Sequence, residues 1–385
     1  MYKPAYYSIS MQRTAKIKLQ NDNSLIDTIK GYSKIKQYIC DLGLKKKSYN
    51  KNKLHKWTYK KLRKLYPDLP TGLIQTARDV ASETLKRTKL KKKINGKEYS
   101  AMRLDKRNLR VNMEHNLISI SSIHGRKKIN FKDNPITLKY KGWTAIAGTL
   151  CFKNNNLYLN LVLEKENPKI NLENIKPTDF IGLDRGIKNI AVGSNNQFFT
   201  SSRLRKVKGK YQHLRRILQS KGTKSALREL KRIAGKERRF VSDTNHCLSK
   251  ELANSDFKVF AIENLKKISN SNKGRRFNKK LGNWSFRQFE TYLQYNLEAL
   301  GKILIKVNPK YTSQMCSISV CNHIGKANRN GSIFKCKKCG YELHSDLNAS
   351  YNIVKLGISE FNRLYVNQPI VASQESYKPT NSLVR

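Results

Sequence analysis

In a chain with 78 Lys and Arg against 27 Asp and Glu, three carboxylates occupy positions where an acid is costly. Asp184 closes the apolar run FIGLD, Glu263 closes VFAIE, and Asp346 opens the segment DLNAS. A carboxylate at the end of a buried strand must be solvated, paired or metal-bound. Three that converge can hold two divalent cations about 3.5–4 Å apart, one activating a water and the other stabilising the leaving 3′ oxygen of a phosphodiester. Mg2+ suits such a set, because the ligands are hard oxygens and the substrate supplies phosphate oxygens. Each acid alone has a plainer role: an Asp after a strand is commonly a turn residue, and Asp346 is placed to cap the helix that follows. As a set, an Asp on a first strand with a β-hairpin after it, then Glu, then Asp, follows the order of an RNase H-like site.

A second group is Cys316, Cys321, Cys336 and Cys339. Two residues separate Cys336 from Cys339, so both thiolates reach one tetrahedral ion, and Gly340 relieves the turn. Four residues separate Cys316 from Cys321, and fourteen lie between the pairs, a span that suits a β-ribbon. Four thiolates leave no open coordination position, so the expected Zn2+ is structural. His323 is the alternative ligand if Cys321 points away. Cys40, Cys151 and Cys247 stand alone and read as small buried side chains. This pattern points to a metal site in a reducing compartment rather than a disulfide framework.

The elements that position these residues follow from periodicity. Residues 5–19 alternate loosely, as a strand does. Residues 24–94 read as helical and basic, with cations interleaved among aromatics. Lys56, Trp57, Tyr59 and Lys60 are the candidate nucleic-acid contacts there, cations for phosphates and rings for bases; any one of the rings equally fits a small core. Residues 95–165 hold short β-rich segments at 116–123, 135–140, 143–152 and 157–163, which predict a small antiparallel barrel or sandwich. From Asp179 the pattern is α/β, with strands near 180–184, 189–192, 198–200, 259–262 and 303–307. Two basic helical stretches fill 203–253, broken near Gly222. One face carries Leu204, Val207, Tyr211, Leu214 and Leu218, and Arg205, Arg215 and Arg232 are candidate nucleic-acid contacts. Further helices are expected at 285–300 and from Asn348 to about Leu356, with a flexible tail over 366–385.

The net charge, 78 − 27 = +51, far exceeds what solubility needs. A polyanion is the implied partner, since each neutralised phosphate releases a counterion. The spread of charge over most of the chain favours nucleic acid over a membrane-surface or ribosome-associated role. No run of 18 apolar residues exists to span a membrane and the N-terminus lacks a signal core, so a cytoplasmic location is expected.

The segments IGLDRGIKNIAVG, VFAIENLKKI, NWSFRQFETYLQYNLEALG and FKCKKCGYELHSDLNASYNI resemble the TnpB (OrfB) family. These are transposon-encoded, RNA-guided DNA endonucleases related to the compact type V CRISPR effectors. The resemblance covers roughly 177–356. It implies an α/β fold: a RuvC (RNase H-like) nuclease domain over 178–365 with a zinc ribbon inserted at 312–343. A β-barrel wedge would form from the first strand, 1–20, and the β-rich region, 96–170, with a helical recognition lobe over 21–95. It implies catalytic, Mg2+-binding roles for Asp184, Glu263 and Asp346, and a structural Zn2+ on the four cysteines. Asn348 matches the Asn of the last motif, and His246 matches an Asn-His pair that is structural or substrate-facing. The implied partners are a guide RNA transcribed from the transposon end and double-stranded target DNA beside a short adjacent motif, in a monomer holding one RNA, nucleoid-associated when on DNA. A CRISPR-associated effector, a non-cleaving RNA-guided repressor and a nonspecific zinc-ribbon binder are the competing readings. One departure stands out: the family commonly has two residues between the first zinc cysteines and a Gly after the second, whereas here there are four, and Asn322.

Overall fold

The computed structural model describes residues 10–91, 94–168, 172, 174–265, 274, 278 and 284–366. The tail expected at 366–385 lies outside them beyond Val366, as does the start of the first strand. The chain divides into two compact units, one within Ser8–Glu166 and one within Asn167–Arg385.

The first unit contains strands β1 (Ser10–Leu19), β2 (Met102–Leu104), β3 (Leu109–Asn112), β4 (Leu117–Ser122), β5 (Gly125–Asn130), β6 (Thr144–Lys153) and β7 (Asn156–Glu166). Its helices are α1 (Asn23–Lys45), α2 (Lys51–Leu65), α3 (Thr71–Arg87) and the short α4 (Pro135–Lys139). The strands form an antiparallel sheet in the order β1-β7-β6-β2 and a second in the order β3-β4-β5. Alternation explains the burial: Leu157, Leu159, Leu161 and Leu163 of β7 are all fully buried, two residues apart. Asn154 and Asn155 take positive φ at the β6–β7 turn, the backbone a two-residue hairpin needs. Leu25, Ile29, Tyr32, Ile35 and Ile39 form the buried stripe of α1, in one core with Leu73, Ala77 and Leu85 of α3. The β-segment expected at 135–140 is instead α4. Asn134 accepts from the Ile136 and Thr137 amides, Thr137 returns a bond to Asn134, and Pro135 presets the first helical φ.

The second unit contains β8 (Phe180–Asp184), β9 (Asn189–Gly193), β10 (Phe198–Thr200), β11 (Val259–Glu263) and β12 (Ile303–Val307), in the order β10-β9-β8-β11-β12. β8 runs parallel to β11 and β11 to β12, whereas β8, β9 and β10 form an antiparallel meander. β8 and β11 are continuous apolar runs because helices cover both sides of the sheet. Helices α5 (Ser202–Lys221), α7 (Lys236–Ala253) and α8 (Phe286–Ala299) pack against Ile181, Leu183, Phe260 and Ile262. α9 (Ser345–Phe361) covers Phe180, Val259, Ala261 and Ile305 on the opposite side. Three helices rather than two fill 202–253: Gly222 and Gly235, both at positive φ, end α5 and α6 (Lys224–Ile233). A ribbon of β13 (Arg329–Asn330), β14 (Ile333–Lys335) and β15 (Glu342–His344) precedes α9. Among the described residues, no helix is long and apolar enough to cross a membrane.

Candidate active site and zinc centre

The register of the central strands sets the first two acids side by side. Leu183 of β8 pairs with Ile262 of β11, so Asp184 and Glu263 end neighbouring parallel strands at one sheet edge. Phe180 faces α9 and Ile181 and Leu183 face the opposite layer, so alternation turns Asp184 toward α9. α9 lies directly on β8: a Cβ on Gly182 would stand 2.2 Å from the Ser350 carbonyl oxygen. That close approach carries Asp346, in the first turn of α9, to the same edge. Asp346 is not the helix cap. His344 takes that place, accepting from the Asp346 amide at 3.3 Å, which leaves the Asp346 carboxylate to accept from Asn189 and Arg329, each at 3.1 Å.

The electrostatics report the convergence. Burial, and then the charges of Glu263 and Asp346, push the Asp184 carboxyl well above the ordinary carboxylate range; Arg329 and Arg185 oppose this only in part. Burial likewise raises Glu263, against the Thr312 hydroxyl, which donates to its Oε1 at 2.5 Å, and the two arginines. Three acids facing one region, two of them raised by burial, suit a divalent cation, because its charge is what such a group lacks. Their spacing is loose: among the described residues, only the four cysteines have ligand atoms all within 4.8 Å of one another.

Arg185 anchors the floor of the site. Its buried guanidinium pairs with Glu290 of α8 at 2.9 Å and donates to the Glu263 carbonyl at 2.5 Å, while Lys306 of β12 meets Glu290 at 2.6 Å. This network ties β8, β11, β12 and α8 together beneath the carboxylates. Arg185, Thr312, Asn189 and Arg329 escaped the reading of the sequence. Arg185 had a signal in adjoining Asp184, whereas Arg329 and Thr312 lie in loop-like sequence and acquire a role only through the fold.

The cysteines form one cluster. Cys316 Sγ lies 3.7 Å from Cys339 Sγ, and Cys321 Sγ 3.7 Å from Cys336 Sγ. A tetrahedron with Zn–S near 2.3 Å has edges of about 3.8 Å, so the four thiols match zinc geometry and are too far apart for disulfides. The longer first knuckle closes because the Cys321 and Asn322 amides both donate to the Ile318 carbonyl, with Asn322 at positive φ in place of Gly. His323 contributes its backbone, accepting from the Cys316 amide at 2.9 Å, and Cys321 needs no substitute. Burial opposes ionisation of Cys336, but donation from the Cys339 and Lys338 amides and the neighbouring thiols brings it down to about 7. Asn348 joins this centre to the acids. On the turn after Asp346, it accepts from the Ser317 amide at 3.0 Å and donates to the Met315 carbonyl at 2.8 Å. Asn352, one turn on, donates to the Thr312 and Met315 carbonyls.

The other candidates are scattered. Lys56 and Lys60 are exposed, while Trp57 and Tyr59 pack against the core, Trp57 beneath Lys46 and Tyr59 stacked on His55. Arg205 is exposed; Arg215 pairs with Glu237, and Arg232 with Glu229 at 2.6 Å. His246 is exposed, stacked on Tyr292 and bonded to the Tyr295 hydroxyl, away from the acids in its contacts. Of the isolated cysteines only Cys40 is buried; Cys151 is half-buried and Cys247 exposed, since Cys247 falls on the outer face of α7.

A family model described as a probable transposase matches residues 160–273, and one for the Cas12f1-like TNB domain matches 286–353. In sequence, the chain is similar in parts to TnpB-like and Cas12f1 proteins. It is 34% identical over 137 residues to the CRISPR-associated endodeoxyribonuclease Cas12f1 of Sulfoacidibacillus thermotolerans, covering 34% of this chain and 31% of that protein. It is 29% identical over 132 residues to a TnpB-like protein of Methanocaldococcus jannaschii, covering 33% of this chain and 46% of that one. The aligned part therefore spans under half the length of either relative. In fold, the chain is similar to the protein of a Cas12f1–sgRNA–target DNA complex, with a TM-score of 0.51 at 16% identity, over 90% of this chain and 99% of that one.

Proposed function

We propose that the chain is an RNA-guided DNA endonuclease of a transposon, hydrolysing target phosphodiesters at Asp184, Glu263 and Asp346. The observation that carries this is geometric: Asp184 and Glu263 end neighbouring parallel strands, and α9, which lies directly on β8, opens with Asp346 in its first turn. An antiparallel meander continued by parallel strands, with the first acid on the first strand, supports a RuvC (RNase H-like) domain over 178–365. The ribbon within 312–343 would be its structural zinc module. In the other unit, the strands within 10–20 and 96–166 would serve as the wedge, and α1–α3 as the recognition lobe.

Asp184, Glu263 and Asp346 would hold Mg2+, which when bound supplies Lewis acidity at the phosphate. The chain's own contribution is orientation. Arg185 fixes the strand ends, Thr312 orients Glu263, and Arg329 and Asn189 steer Asp346. A guide RNA would supply sequence specificity by pairing with DNA, the protein reading a short adjacent motif. A net charge of +51 supports a partner of this kind.

The likeness to Cas12f1 favours a second reading, a CRISPR-associated effector with the same chemistry; a neighbouring repeat array rather than transposon ends would decide for it. The test of function is purification with bound RNA, sequencing of that RNA, and Mg2+-dependent cleavage of a matched plasmid. Binding without cleavage would leave a repressor, and cleavage without a defined guide would leave a nonspecific nuclease.

A further inference from the structure

A cleft of about 360 Å³ opens beside the β8–β9 turn, within the range of about 300–1,000 Å³ usual for small-ligand pockets. Its walls are the turn residues Gly186, Ile187 and Lys188, one face of α5, and Trp284 and Phe286 at the start of α8. The Trp284 and Phe286 rings stand 4.8 Å apart at 44°. Lys188 and Arg205 line it and are exposed, and among the described residues no Asp or Glu lines it. The cleft adjoins the β8–β9 turn that follows Asp184, on the α5 and α8 side of the sheet, whereas Asp184 turns toward α9. Arg185 spans the gap by donating to the Phe286 carbonyl at 3.4 Å.

Gly209 gives an independent sign that the space is kept open. It lies inside α5, where Gly weakens a helix. Among the described residues, and apart from its chain neighbours and the helix's own nearby backbone, no atom stands within 4 Å of the place its Cβ would take, so packing does not demand Gly. Gly209 is exposed and lines the cleft, so a long side chain there is expected to occupy it.

We infer that this cleft receives one unpaired nucleobase of a single-stranded nucleic acid whose neighbouring phosphates lie on Lys188 and Arg205. An aromatic, apolar wall takes the base face, and the Gln212 amide and Ser285 hydroxyl in the lining can meet its polar edge. A base seated here would hold its strand beside the β8–β9 turn that follows Asp184. The inference rests on the nuclease reading for its purpose, not for the binding itself.

The test uses the full chain with its bound RNA, in EDTA so that nothing is cut, titrated with a single-stranded DNA carrying one 2-aminopurine. The expected result is quenching of the 2-aminopurine on binding. Trp284→Ala and Gly209→Leu should each weaken binding about tenfold and leave the salt dependence unchanged. Arg205→Ala should lower that dependence by about one counterion. Leu is a better helix former than Gly, so G209L keeps the fold while filling the cleft. Quenching and affinity unchanged in both W284A and G209L would overturn the subsite, whether or not the protein cleaves. Base capture by a chain that cuts no guide-matched DNA would support the subsite and remove the nuclease reading.

Discussion

Gly182→Ala is the sharpest mechanical test of how the acids are brought together. The added Cβ would stand 2.2 Å from the Ser350 carbonyl oxygen and 2.9 Å from both the Val354 amide nitrogen and its Cγ2. Ordinary contacts to carbon lie near 3.5 Å, so α9 and β8 must part by about 1 Å. The obstacle is helix backbone, which no rotamer change relieves. Overpacking of this kind costs about 1–3 kcal/mol, and a rigid backbone neighbour places the cost at the upper end. For a unit of this size, that lowers the melting temperature by about 6–12 °C. The larger effect falls on the chemistry, because Asp346 rides on α9 and Asp184 on β8. A misplacement of about 1 Å costs about 100-fold in rate. Thermal unfolding followed by circular dichroism and single-turnover cleavage of a guide-matched plasmid measure the two effects. Gly209→Ala is the matched control for stability alone: no described residue outside its own helix backbone lies within 4 Å of its Cβ, so it should stabilise α5 by about 0.5–1 kcal/mol. A G182A protein that melts and cuts like the parent would refute the argument that this contact sets the spacing of the acids.

Three further predictions follow from the same site. Arg185→Met leaves Glu290 to Lys306 alone and strips the Glu263 carbonyl of its donor, so unfolding in urea should show a loss of about 1–3 kcal/mol. Because burial and neighbouring acids raise the Asp184 pKa in the folded protein, the metal-free fold is favoured at low pH, and that contribution is lost as pH rises through the folded pKa. Asp184→Asn should therefore melt above the parent in EDTA at neutral pH and lose the advantage near pH 4, about the ordinary Asp value; equal melting at neutral pH would count against crowding of the acids. One Zn2+ per chain is expected by elemental analysis, and Cys336→Ser should release it and loosen the Thr312 loop, read as lost cleavage and faster amide exchange over 312–344.

The strands bearing Asp184 and Glu263 were legible because a parallel strand buried on both faces reads as an unbroken apolar run. The cysteine spacing was legible because tetrahedral coordination constrains it tightly. The α4 segment misled because Ile136, Leu138 and Tyr140 alternate as a strand does, while Asn134 and Pro135 start a helix; the cap prevailed over the pattern. Asp346 looked like a cap by position, yet His344 had the same vantage two residues earlier. Arg329 and Thr312 carried no local signal, since their importance is a matter of which loops the ribbon and α9 bring together. The pairing of β8 with β11, across 75 residues from the end of one to the start of the next, is likewise a long-range fact that periodicity does not encode.

Cleavage of a guide-matched plasmid by the RNA-bound protein in Mg2+, compared among the parent, Asp184→Ala, Glu263→Ala and Asp346→Ala, weighs the whole account. Each substitution should abolish cutting while RNA remains bound and the protein stays folded. A folded variant of any one of the three that cuts at the parent rate would show that the acids do not act as one centre.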